Sequence, residues 1–202
     1  MSWIKTIPYD EATGKLKILY GRIKGPGNNV DNIMMAHSLR PHTMEGHMAL
    51  YKSVLHHYKN TLPKWFLETI GVYVSLLNGC SYCARHHFTG LKRLLKDDEK
   101  AQALWAALSK DDIDAAPLTA AEKAALVYAK ALTLKPGAMR EDMIEALRTE
   151  DYTDGGILEI NQVTAYFAYA NRTVTGLGCS TKGDVLGLSP GNSDNPDDWG
   201  HG

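Results

Sequence analysis

ETIGVYVSLLNGCSYCARHH, residues 68–87, is the stretch around which the chain is organised. Asn78-Gly79 breaks it into two arms. Leu67, Ile70, Val74 and Leu77 recur at helical spacing and mark the inner face of the first arm. The second arm opens at Cys80 and is predicted to run as a helix to about Leu95. A helix turns about 100° per residue, which places Cys80, Cys83 and His87 on one stripe roughly 60° wide. His86 points about 60° to the other side of Cys83, off that stripe. Glu68 cannot join them on a continuous helix, because twelve residues span about 18 Å. If the chain reverses at Asn78-Gly79, Glu68 lies about 16 Å back along one arm and His87 about 13 Å along the other. An antiparallel helix pair then gathers a carboxylate, an imidazole and two thiols.

Such a group has a chemical use. A free thiol is mostly protonated near neutral pH, and only the thiolate is a nucleophile. His87, oriented by Glu68, can take the proton from Cys83. A thiolate that attacks a peroxide becomes a sulfenic acid, and a second thiol one turn away condenses with it to a disulfide. The helix macrodipole favours ionisation of the sulfur nearest the N-terminus, Cys80. Residue physics therefore leaves open which cysteine attacks first.

Glu-x11-Cys-x-x-Cys-x-x-x-His, carried by Glu68, Cys80, Cys83 and His87, resembles the active-site signature of the alkylhydroperoxidase D / carboxymuconolactone decarboxylase family. The resemblance implies Cys83 as the attacking cysteine, Cys80 as the resolving one, and Glu68 with His87 as a proton relay. Tyr82 stands where alkylhydroperoxidase D itself has a histidine, and in this the chain is similar to the peroxidase-related branch. Asn171-Arg172 and the run His37-Ser38-Leu39-Arg40-Pro41 also resemble that branch, so the likeness spans roughly residues 30–180. The implied activity is reduction of a small (alkyl)hydroperoxide by the redox-active cysteine pair with no further cofactor. An external dithiol or redox protein would restore the thiols. A homo-oligomer, trimer or hexamer, is implied as well.

The rest of the chain sets limits. Its 202 residues suit one well-buried domain, and 44% hydrophobic with 22% charged residues is ordinary for a globular protein. A formal net charge of -1 argues against nucleic acid or an anionic membrane as partner. Three cysteines, an odd count, do not read as a secreted disulfide framework. The opening residues lack a signal-peptide pattern and no apolar run reaches membrane-spanning length, so a cytoplasmic protein is expected.

The hydrophobic periods are helical throughout, which predicts an all-α, single-domain bundle over residues 1–188 followed by a loosely held tail, 189–202. Leu16, Leu19, Tyr20 and Ile23 mark an early helix, and a short piece near Ile33 stops before Pro41. Met44, Met48, Tyr51 and Leu55 mark the next, with Thr43 as expected N-cap and Pro63 expected in the first turn of the helix carrying Glu68. A further helix follows over 98–108, and Thr119 with Glu122 forms a capping box opening another. Ile157, Ile160, Val163, Phe167, Ala170 and Val174 mark a long late helix.

Other readings compete. Cys80, Cys83 and His87 with a fourth donor are a possible zinc set, but no second Cys-x-x-Cys accompanies them. Haem attachment needs a histidine directly after the second cysteine, where Ala84 stands. Tyr82 reads as a lining residue and Cys179 as a spectator thiol. His37, His42, His47, His56 and His57 fit no familiar metal spacing, and His86 reads as a neighbour of the site. A cofactor-free decarboxylase of the carboxymuconolactone type, or a non-catalytic metal-binding or assembly domain, are the alternatives to a peroxidase.

Overall fold

The computed structural model describes residues 1–191 together with Asn195, Asp198 and Trp199. The helices follow in order as α1 (Gly14–Ile23), α2 (Asn32–Ala36), α3 (Pro41–Leu55), α4 (Lys64–Leu77) and α5 (Ser81–Leu95). Then come α6 (Asp98–Leu108), α7 (Ala120–Leu134), α8 (Glu141–Thr149) and α9 (Asp154–Gly176). No strand occurs among the described residues, and the fold is all-α. No helix among them is long and apolar enough to cross a membrane.

α4 is the axis of the bundle. Every residue from Phe66 through Ser75 is buried, the mark of a helix covered on all sides. α5, α9, α7 and α3 pack around it. Its buried hydroxyls are satisfied locally: Thr69 Oγ1 donates to the Trp65 carbonyl (2.9 Å) and Ser75 Oγ to that of Gly71 (2.7 Å). Glu68 is the one carboxylate in this run, and the bundle must supply its partner.

The long helix α9 crosses α4 where the latter has no side chain. A Cβ built on Gly71 would lie 2.1 Å from the Phe167 ring. Gly71→Ala is therefore expected to lower stability by about 1–3 kcal/mol through overpacking, despite alanine's better helix propensity. Urea unfolding checks this, with partial recovery expected in Gly71→Ala/Phe167→Leu.

The reversal between α4 and α5 is a Schellman turn. Gly79, at φ +67°, takes the left-handed position. Its N–H donates to Leu76 O (3.0 Å), and the N–H of Cys80 to Ser75 O (2.8 Å). α5 starts one residue later than expected, at Ser81, because Cys80 serves as its N-cap: Cys80 Sγ accepts from the Cys83 N–H at 3.5 Å. Two expected caps are corrected. Thr43 lies inside α3, which Pro41 opens, and its hydroxyl donates to the Arg40 carbonyl at 2.8 Å. Pro63 precedes α4 as its N-cap residue and is not in the first turn. The Thr119–Glu122 capping box is present on α7.

A second, smaller core joins α1, through Leu16, Leu19, Tyr20 and Ile23, to Met44 and Met48 of α3. After α9 the chain returns across α5. Arg93 donates to the carbonyls of Gly187 (2.7 Å) and Leu186 (3.2 Å), and Asn29 Nδ2 to that of Gly183 (2.6 Å). The expected loose tail, 189–202, falls in part outside the described residues. Those described are engaged: Trp199 is buried in the second core, and Lys52 Nζ donates to the carbonyls of Asn195 and Asp198.

Candidate active site

The Schellman turn lays α5 antiparallel to α4 and settles the position of Glu68. Its Oε2 lies 2.7 Å from His87 Nδ1, with Glu68 itself only 2% exposed. A carboxylate on Nδ1 fixes the tautomer: Nδ1–H donates to Glu68, and Nε2 is left bare to accept a proton. The Phe167 ring stands edge-on to His87 at 4.5 Å between centroids and limits its rotation. The other carboxylate oxygen of Glu68 faces His56. Its Nε2 is 4.0 Å from Glu68 Oε1, and among the described residues neither ring nitrogen has a hydrogen-bond partner. Burial, with Lys64 and Lys52 adding positive charge, holds His56 well below its ordinary pKa, so it stays neutral.

Both thiols of the Cys-x-x-Cys are free and buried. They share a proton unequally. A hydrogen bond from Cys83 and the N–H of Cys83 both stabilise charge on Cys80, whose pKa falls from 9.0 to about 6 despite burial. The same contact and burial push Cys83 well above its ordinary value, against an opposing hydrogen bond from Asn171. The two shifts run in opposite directions, Cys80 down and Cys83 up, and the hydrogen bond between the two side chains is the largest cause of both. Thiolate absorbance is expected to appear with a midpoint near pH 6 and to be lost as the pH falls through it. In Cys83→Ala, which removes the donor, that midpoint moves upward. An ultraviolet pH titration of the reduced protein checks both.

Access ranks the sulfurs the other way. A cavity of about 70 Å³ is walled by Cys83, Glu68, His87, Tyr82, His86 and Tyr166, among others; Cys80 is not in its wall. Asn171, buried on α9, ties that helix to the end of α4: its Nδ2 donates to Ser75 Oγ (3.0 Å) and its Oδ1 accepts from Asn78 Nδ2 (2.9 Å). No hydrogen bond joins His87 to either sulfur among the described residues; His87 and Cys83 face the same cavity.

The structure therefore brings Glu68 to His87 and Cys80 to Cys83, with Cys83, His87 and Glu68 facing one space. Tyr82 lines it, as read from the sequence. Cys179 packs against the Cys80–Tyr82–Cys83 cluster at the end of α9. Two wall residues, Tyr51 and Tyr166 with ring centroids 5.5 Å apart, were not read as part of the site, and neither was Asp184, which holds the wall residue Tyr82 across 102 positions. Among the described residues no three His, Cys, Asp or Glu side chains converge to hold a metal ion.

Comparison with known proteins bears on the same segment. Residues 41–131 match the model of the carboxymuconolactone decarboxylase family, and all four motif residues lie within them. No curated protein matches the chain. Among solved structures it is similar to one described as an alkylhydroperoxidase AhpD core, a peroxidase-related protein from Ralstonia eutropha. That pair is 21% identical, covers 89% of this chain and 92% of the other, and superposes with TM-score 0.78. A peroxidase-related protein from a Silicibacter species is 24% identical over 88% and 87% of the two chains, TM-score 0.70. The debrominase Bmp8, in a cysteine-to-alanine variant bound to 2,3,4-tribromopyrrole, is 18% identical over 83% of each, TM-score 0.62. At these identities the likeness establishes the fold.

Proposed function

The chain being a relative of the carboxymuconolactone decarboxylase family through residues 41–131, we propose that it is a thiol-dependent hydroperoxide reductase. The observation that supports this most is the Glu68–His87 contact of 2.7 Å in the wall of a cavity whose sulfur is Cys83. His87 Nε2 takes the Cys83 proton, and Cys83 is the attacking cysteine because its sulfur is the one a substrate in the cavity meets. The thiolate displaces RO⁻ from ROOH and becomes a sulfenic acid. Cys80, one turn back and already ionised at neutral pH, attacks the Cys83 sulfur. A disulfide forms and hydroxide leaves, taking the proton held on His87. An external dithiol or redox protein returns the pair to the reduced state. The narrow cavity suits small hydroperoxides, and assembly as a homo-oligomer belongs to the same proposal.

One equivalent of peroxide given to the reduced protein tests it. Two free thiols are expected to vanish together, and a reductant to restore them. Persistence of both overturns the reading. The decarboxylase alternative draws on the name of the matched family alone; turnover of a lactone acid by a Cys80→Ser/Cys83→Ser variant would speak for it.

A further inference from the structure

His86 and Tyr82 wall the same cavity as Cys83, yet the relay just described uses neither. One carboxylate holds both. Asp184, its side chain 1% exposed, accepts from the Tyr82 hydroxyl (2.6 Å), from the Asn32 backbone N–H (3.1 Å) and from Asn32 Nδ2 (2.6 Å). It lies 3.2 Å from His86 Nε2. The Tyr82 and His86 rings stack at 4.5 Å, and the Tyr82 oxygen in turn accepts from the Ile33 N–H at 3.1 Å, so the imidazole has little room to turn. Along α5, His86 stands three residues beyond Cys83 and His87 four, and the two imidazoles flank the sulfur one turn on. Each is held by a buried carboxylate from a different part of the chain: His87 by Glu68 of α4, His86 by Asp184 of the C-terminal segment.

The proposed chemistry calls for two such groups. Peroxide reduction expels two strongly basic oxygens, RO⁻ when the O–O bond breaks and hydroxide when Cys80 closes the disulfide. The Cys83 proton, carried by His87, serves one of them. Cys80, as a thiolate, brings none. The leaving oxygen also departs in line with the attack, on the side of the peroxide remote from the sulfur.

We propose that His86, positioned by Asp184, is the general acid that protonates the leaving oxygen of the substrate. This rests on the hydroperoxide reading above. The Cys83 lone pair forms the S–O bond, and the O–O pair leaves with RO and becomes its bond to the proton from His86 Nδ1. His86 Nε2 stays on Asp184, and solvent reprotonates the ring before the next turnover.

The test varies how much the leaving group needs a proton. Hydrogen peroxide expels hydroxide, whereas peracetic acid, of similar size, expels acetate, which is stable unprotonated at neutral pH. In His86→Gln, kcat/KM for hydrogen peroxide is expected to fall by roughly 10²- to 10⁴-fold, the usual worth of a general acid, and that for peracetic acid by a small factor. Asp184→Asn shows the same selectivity to a smaller degree and carries the test if His86→Gln does not fold. An equal loss on both oxidants, as a purely structural role would give, overturns the inference, and so does an unchanged rate on both. A wild-type protein that reduces neither oxidant brings down the hydroperoxide reading itself.

Discussion

Cys83→Ser is expected to abolish hydroperoxide consumption, a loss on the order of 10⁴-fold or more, as for removal of a nucleophile elsewhere. Given one equivalent of peroxide, this variant should keep its Cys80 thiol. Cys80→Ser should instead lose one thiol and stop at the sulfenic acid, which a sulfenic-specific reagent detects. The asymmetry follows from two features that pull apart: the contact with Cys83 lowers the Cys80 pKa, but of the two sulfurs only that of Cys83 belongs to the cavity wall. Proton transfer between neighbouring sulfurs is easy, whereas reaching a sulfur behind the wall is not. If Cys80→Ser is the variant that never reacts, ionisation and not access selects the attacking thiol, and the order of the two cysteines is reversed.

Glu68→Gln is expected to lower kcat/KM by roughly 10²- to 10⁴-fold while leaving the protein folded. The amide has nearly the shape of the carboxylate and an oxygen that can still accept from His87 Nδ1. What is lost is the negative charge opposing the imidazolium that forms when Cys83 gives up its proton. The expected stability change is small, because among the described residues the buried carboxylate has only His87 as a close partner, at 2.7 Å, and its other oxygen is 4.0 Å from a neutral His56. Peroxide assays beside thermal melts check both halves. Activity within a few-fold of wild type removes Glu68 from the relay.

Much of this was legible in the sequence, for reasons specific to these residues. Glu68, Cys80, Cys83 and His87 lie on two consecutive helices joined by a tight turn, so helical periods and Asn78-Gly79 suffice to predict that they converge. The helices themselves announced their faces, from Leu16 in α1 to Val174 in α9. Cap positions were less readable: Arg40, Pro63 and Cys80 hold the positions before α3, α4 and α5, and each differs by one to three residues from the propensity-based expectation. The support that Asp184 gives to the wall residues Tyr82 and His86 was not readable at all. An aspartate in Lys182-Gly183-Asp184 looks like any turn residue, and only the return of the chain across α5 makes it the anchor of Tyr82, His86 and Asn32. His56 was equally silent, since nothing in His56-His57 shows that the first is buried beside Glu68.

The cap at the start of α5 has an electrochemical consequence. A sulfur that accepts from the first turn of a helix does so best as an anion, and closing the bond to its neighbour neutralises it and weakens that role. Whatever favours the dithiol over the bridged form raises the midpoint potential of the couple. Under the proposed reductase reading, a couple poised toward the oxidising end would give up its bridge readily, and a modest reductant would suffice to restore the dithiol.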